Sequence, residues 1–188
     1  MNRNLLIRLG GLATIVAGVL FVAPPLIYRY FPQAMPGFTM ETFLLVALLL
    51  VPVGMVGFHS LQSQSYGRVG RTGFWMALAS PLTVALGAAS YLFSGNVFGT
   101  SLLWLAMPIG PLLLLAGFVL YGVATLQARV LPRWCGVAFI VALPIALVLS
   151  IPLSFASLFI VFGLIWLALG FALWSQRIIS AQQPSRVR

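Results

Sequence analysis

Few side chains in this sequence could do chemistry, and they lie far apart. Glu41 is the only carboxylate, His59 the only histidine and Cys135 the only cysteine. One histidine cannot build a zinc site without thiolate or carboxylate partners, and a haem held by two histidines would need a second subunit. No metal and no other cofactor is therefore expected. A lone cysteine makes no internal disulfide. Cys135 follows Arg133 and Trp134 and reads as a small packing residue near the cytoplasmic border. The hydroxyls of Thr14, Ser80, Thr83 and Ser90 have no base beside them in sequence, and without one a hydroxyl is a poor nucleophile. There is no Gly-x-Ser-x-Gly elbow, no phosphate-binding Walker loop and no His–Glu metal motif. No catalytic residue is assigned, and the chain is not read as an enzyme.

Two polar residues call for a reading of their own. Glu41 follows Thr39, which can cap a helix, and an acid in the first turn complements the helix dipole. Arg29 closes the preceding apolar segment at the same surface, so an outer Arg29–Glu41 salt bridge is expected, worth ~0–1 kcal/mol if exposed. The alternative is a contact for a cation or substrate in an outer vestibule. His59 lies in Gly57-Phe58-His59-Ser60 and reads as a polar residue at the membrane border, where the depth relieves most of its desolvation.

The elements that must position these residues follow from composition. Of 188 residues, 62% are hydrophobic and 6% charged, against roughly 25% charged in soluble domains. So much apolar surface needs lipid as its solvent. A span needs about 20 residues at 1.5 Å each. Helices are predicted at about 5–28, 41–62, 72–94, 101–127, 134–150 and 153–175. Trp134 to Trp174 is 41 residues without a charge. As one helix it would run ~60 Å, twice the hydrocarbon thickness, so it must turn back at Ser150-Ile151-Pro152-Leu153-Ser154. The N-terminal segment has no small-x-small cleavage pattern and runs past a signal core into Pro24-Pro25, so it reads as an uncleaved first span. One all-α membrane bundle uses residues 1–188 as a single domain, with 176–188 as a basic cytoplasmic tail.

Arginine sets the expected orientation. All ten cationic side chains are arginines, and nine fall in four clusters: Arg3 and Arg8; Arg68 and Arg71; Arg129 and Arg133; Arg177, Arg186 and Arg188. Six spans put all four clusters on one face, which the positive-inside rule makes cytoplasmic, with both termini there. Tyr28, Tyr30, Phe31, Phe38, Tyr91, Phe93, Phe98 and Trp104 would mark the outer border; Tyr66, Phe74, Trp75, Trp134 and Trp174 would mark the inner one. The net charge of +9 is matched to anionic lipid headgroups at ~1 kcal/mol per arginine. Nucleic acid is not an expected partner, since no dense basic run or nucleic-acid motif is present.

Self-similarity suggests three tandem helical hairpins. Arg8-Leu-Gly-Gly, Arg71-Thr-Gly-Phe and Arg133-Trp-Cys-Gly open the odd helices, 63 and 62 residues apart. Gly57-Phe58, Gly117-Phe118 and Gly170-Phe171 recur near the ends of the even ones. Small residues form stripes: Gly10, Thr14 and Gly18; Gly73, Ala77, Pro81, Ala85 and Ala89; Ala138, Ala142, Ala146 and Ser150. Such stripes let backbones approach in lipid, so helices 1, 3 and 5 are expected to be the buried ones, with helices 2, 4 and 6 facing more lipid. Prolines interrupt most helices, most densely at Met107-Pro108-Ile109-Gly110-Pro111. A break of this kind is either a plain kink or the lining of a solute site.

The opening Arg8-Leu-Gly-Gly-Leu-Ala-Thr-Ile-Val-Ala-Gly-Val-Leu-Phe-Val and the later Gly-Arg-Val-Gly-Arg-Thr-Gly-Phe (67–74) resemble small uncharacterised multi-pass inner-membrane proteins of bacteria. The resemblance implies a bacterial inner (plasma) membrane and brings no site residues. The expected role is a non-enzymatic accessory, scaffold or assembly component that binds other membrane helices or further copies of itself. The alternative is a passive carrier or channel for a neutral or amphipathic solute, with Ser80, Thr83, Pro108 and Pro111 on its path.

Overall fold

The structure, a computed structural model, describes residues 3–34, 37–94, 103–153 and 155–182; side chains at 3, 37–39, 85, 87–94, 103–108, 152, 153, 155 and 176–182 are outside the description. Six α-helices account for nearly all of it: α1 Arg3–Tyr30, α2 Gly37–Gln62, α3 Arg68–Ser94, α4 Leu103–Ala128, α5 Arg133–Leu153 and α6 Phe155–Gln182, with one 3₁₀ turn at Pro32–Ala34. Five are long and apolar enough to cross a membrane: the stretches Asn4–Tyr30, Met40–Gln62, Ile109–Ala128, Arg133–Ile151 and Ala156–Ser175. The first turn of α3, which is not among the five, carries Arg68 and Arg71.

Helix ends differ from expectation where no breaker stops the helix. α2 begins at Gly37, so Thr39 lies inside it and does not precede it as a cap. α1 runs through Pro24 and Pro25, α2 through Pro52 and α3 through Pro81. α6 continues to Gln182, which makes the first part of the basic tail helical.

Each helix packs against its neighbours in sequence, and α6 returns to α1. Packing is closest for α3 with α4 and for α1 with both α2 and α6. Glycine explains this choice. A Cβ at Gly18 would lie 2.9 Å from the Gly163 carbonyl oxygen, and one at Gly170 would lie 2.9 Å from Ile15 N, both between α1 and α6. Gly73 and Gly117 bring α3 and α4 together, with a Cβ at Gly117 only 2.5 Å from Ala77 N. Gly122 and Gly136 do the same for α4 and α5. The result is two three-helix layers, α2–α1–α6 and α3–α4–α5.

Aromatic side chains fill the space between the layers. Phe58 of α2 meets Phe139 of α5 edge-on at 5.2 Å, and Phe118 of α4 stacks on Trp166 of α6 at 5.6 Å. Phe162 and Phe21 extend this cluster, with an edge-on contact at 5.2 Å. Such pairs each add ~0.5–1.5 kcal/mol beyond area burial.

Two expectations are corrected here. The odd helices α1 and α5 are not the more buried ones: the spans of α2, α4 and α6 are each more fully buried than theirs. A small-residue stripe needs a partner, and the partners of α1 and α3 are the glycine-bearing even helices. The third Gly-Phe pair also departs from the other two. Phe58 and Phe118 are buried in the core, whereas Phe171 is 67% exposed. Gly170 packs against α1, which turns Phe171 outward and leaves Phe162 and Trp166 to fill the core from α6.

Candidate functional site

The densest group of polar side chains lies where α2 ends and α3 begins. The chain leaves α2 through a tight turn in which Ser63 N donates to the His59 carbonyl and Ser65 N to the Gln62 carbonyl, both at 2.8 Å. Arg71 N then donates to the Gly67 carbonyl at 3.3 Å, in the first turn of α3. Tyr66, in this turn, comes back over the bundle. Its hydroxyl is hydrogen-bonded to His59 Nδ1, and its ring packs edge-on against Tyr121 of α4 at 5.9 Å. Gly70 permits this: a Cβ there would strike the Tyr66 ring and stand 2.9 Å from Ala124 Cβ. His59 in turn stacks on Phe74 at 4.0 Å. Phe74 thus points into the core and is buried, which corrects its expected place in the inner aromatic border.

Burial pushes the Tyr66 phenol up to about 12, against the smaller opposing pull of the Arg71 guanidinium. Tyr66 therefore stays a neutral phenol over the physiological range. Arg68 and Arg71 are both exposed.

Among the described residues, three buried side chains carry polar groups without a hydrogen-bond partner. Gln62 is fully buried, and both its amide nitrogen and its amide oxygen lack a hydrogen bond; so do the Tyr121 hydroxyl and the indole nitrogen of Trp166, which stacks on Phe118. Gln62 ends α2, one turn beyond Phe58, which touches Phe139; Tyr121 touches both Phe139 and Tyr66. Unpaired buried polar groups each cost about 1–3 kcal/mol, so the fold carries them at a penalty. Tyr121 is held there by close α3–α4 packing, since a Cβ at Gly73 would lie 2.6 Å from its backbone nitrogen. The Thr125 hydroxyl donates to the Tyr121 carbonyl at 2.9 Å.

The residues singled out from sequence fall elsewhere. Arg29 and Glu41 are both exposed, and no ion pair between them is seen among the described residues. Ser80 is buried and its hydroxyl donates to the Gly110 carbonyl of α4 at 2.5 Å; Thr83 donates to the Ser80 carbonyl at 2.7 Å. These hydroxyls bind backbone, and Gly110 brings Thr83 and Val84 close to α4. Pro111 is exposed within α4, while the side chain of Pro108 lies outside the described residues. Gly10 and Thr14 face Gly57 and Gly54 of α2, and the Thr14 hydroxyl donates to the Gly10 carbonyl at 2.6 Å. Ala77, Ala142 and Ala146 are fully buried, Ala138 is partly buried, and Ala85 is outside the described side chains. Cys135 is buried.

Gln62, Tyr121 and Trp166 were not singled out from sequence, and Tyr66 was named only as an inner-border aromatic. The only signal was polar: Gln62 ends an apolar run, where an amide reads as a border residue. No known protein family matches the chain, and neither a curated protein nor a solved structure is similar to it.

Proposed function

We propose that this chain is a multi-pass protein of a bacterial inner membrane with six spans, both termini in the cytoplasm, and a non-enzymatic accessory or scaffold role toward other membrane helices. The observation that carries this reading is the aromatic filling between the layers, in which Phe21, Phe58, Phe118, Phe139, Phe162 and Trp166 interlock. The buried Ser80 hydroxyl supports it too, because it is used to bind α3 to α4. The arginines support the orientation, since Arg3, Arg8, Arg68, Arg71, Arg129 and Arg133 lie near helix ends that six spans would bring to one face. Affinity purification from a mild detergent should recover a stoichiometric membrane partner or a defined homo-oligomer. A strictly monomeric, partnerless chain would overturn the role. Cysteine placed at residue 67 should react only from the cytoplasmic side.

A second reading, a passive carrier for a neutral or amphipathic solute, draws on the unpartnered Gln62, Tyr121 and Trp166 groups. It requires that vesicles holding the protein exchange a small neutral solute faster than empty vesicles.

A further inference from the structure

We propose that the α2–α3 turn is a headgroup site for an anionic phospholipid, with Arg68 and Arg71 receiving the phosphodiester and Tyr66 and His59 forming its wall. This rests on the membrane reading above. Its first support is charge. The only acid, Glu41, stands near the opposite end of α2, about 30 Å away along the helix. No side chain of this protein can therefore neutralise Arg68 and Arg71. The two are exposed and three residues apart on α3, a spacing at which like charges repel. A phosphodiester between them removes that repulsion, and a guanidinium meets phosphate oxygens with two parallel N–H donors.

The second support is a wall already in place. Tyr66 is fixed by His59, by the edge of Tyr121 and by the gap at Gly70. The Arg71 guanidinium is near enough to act on the Tyr66 phenol. Trp75 follows Arg71 by four residues, hence on the same helix face, and is 59% exposed. An exposed indole beside a guanidinium suits the glycerol–acyl border of a lipid.

The α4–α5 turn is the internal control. Arg129 and Arg133 are also exposed, and Trp134 lies beside them. No tyrosine or histidine stands from Leu126 to Arg133, whereas Tyr66 stands two residues before Arg68.

The test uses the full chain in nanodiscs of phosphatidylcholine with increasing phosphatidylglycerol, read by melting temperature. Phosphatidylglycerol should raise it by about 3 °C or more. The double variant R68Q/R71Q should lose most of that gain, and R129Q/R133Q, with the same charge removed, should keep most of it. R71K, which retains charge but not the fork, should lose at least half. Inorganic phosphate added to phosphatidylcholine discs should give no gain. Equal losses from both double variants would reduce the effect to diffuse charge and overturn the site. A gain from free phosphate would make it a soluble-anion site, and no gain from phosphatidylglycerol would remove it altogether. Should R68Q/R71Q fail to fold, native mass spectrometry of R71K decides by the number of lipids retained. Nanodiscs expose both faces, so this outcome is independent of the orientation that labelling at residue 67 tests.

Discussion

Gly10 of α1 and Gly57 of α2 meet backbone to backbone: a Cβ on Gly57 would lie 2.7 Å from Gly10 Cα, and one on Gly10 would lie 3.0 Å from Gly57 N. The obstacles are main-chain atoms, which cannot rotate away as a side chain can. In lipid, apolar burial gives helices little reason to associate, and close packing has to supply it. Gly10→Ala and Gly57→Ala should each lower stability by about 1–3 kcal/mol through overpacking. Gly67, with open space around it, is the matched control, and Gly67→Ala should stay within about 0.5 kcal/mol of the parent. Unfolding in a graded detergent mixture reads all three, and equal losses at 10, 57 and 67 would contradict the contact.

Hydropathy and punctuation made the six helices legible. Arg and Pro marked the ends, and the uncharged stretch from Trp134 to Trp174 had to fold back at its centre, as α5 and α6 do. What periodicity could not reveal was partner choice. A stripe such as Gly10, Thr14 and Gly18 says that a helix packs closely but not against which neighbour, and α1 uses it on α2 and α6 alike. The Gly-Phe repeat misled at Phe171 for the same reason: its inward or outward sense depends on the α1–α6 pairing, which joins residues as far apart in sequence as Ile15 and Gly170. The polar site was less legible still. Gln62 and Tyr121 become informative only when the fold buries both without partners, and no local pattern announces that.

Removing one of those unpartnered groups should strengthen the protein. Tyr121→Phe keeps the rings facing Tyr66 and Phe139 but deletes the buried hydroxyl, so stability should rise by up to about 1–3 kcal/mol. Ser80→Ala makes the opposite case, because that hydroxyl is bound to the Gly110 carbonyl; losing it should cost about 0.5–1.5 kcal/mol. Thermal unfolding of the two variants in one detergent should give shifts of opposite sign. A loss at Tyr121 comparable to that at Ser80 would mean the Tyr121 hydroxyl has a partner after all.

Tyr66 should report on pH. Burial lifts its phenol from 10.0 to about 12 in the folded protein, so folding favours the protonated form. The corresponding stability is fully present below pH 10, and it is lost as pH rises through about 12. The tyrosinate absorbance of the parent minus that of Tyr66→Phe should titrate with a midpoint near 12. Tyr66→Phe should also flatten the fall in stability over the same window. A midpoint near 10 would mean that the phenol is not held against Tyr121 and Gly70.

Arg129 occupies a backbone conformation that suits glycine. Its φ is 52°, just past the end of α4, and its N–H donates to the Thr125 carbonyl at 3.3 Å. This is the left-handed residue that often closes a helix, and a side chain with a Cβ costs roughly 1–2 kcal/mol there. Arg129→Gly should therefore gain about 1 kcal/mol, reduced somewhat by the greater freedom of glycine in the unfolded chain. Arg129→Ala removes the same charge but keeps the strain, so it should gain nothing. Comparing the two by chemical unfolding separates backbone from electrostatics, and an equal gain from alanine would assign the effect to charge. Arg129 also carries one of the charges on which the proposed orientation depends. In an insertion assay, both variants should then raise the fraction of inverted molecules.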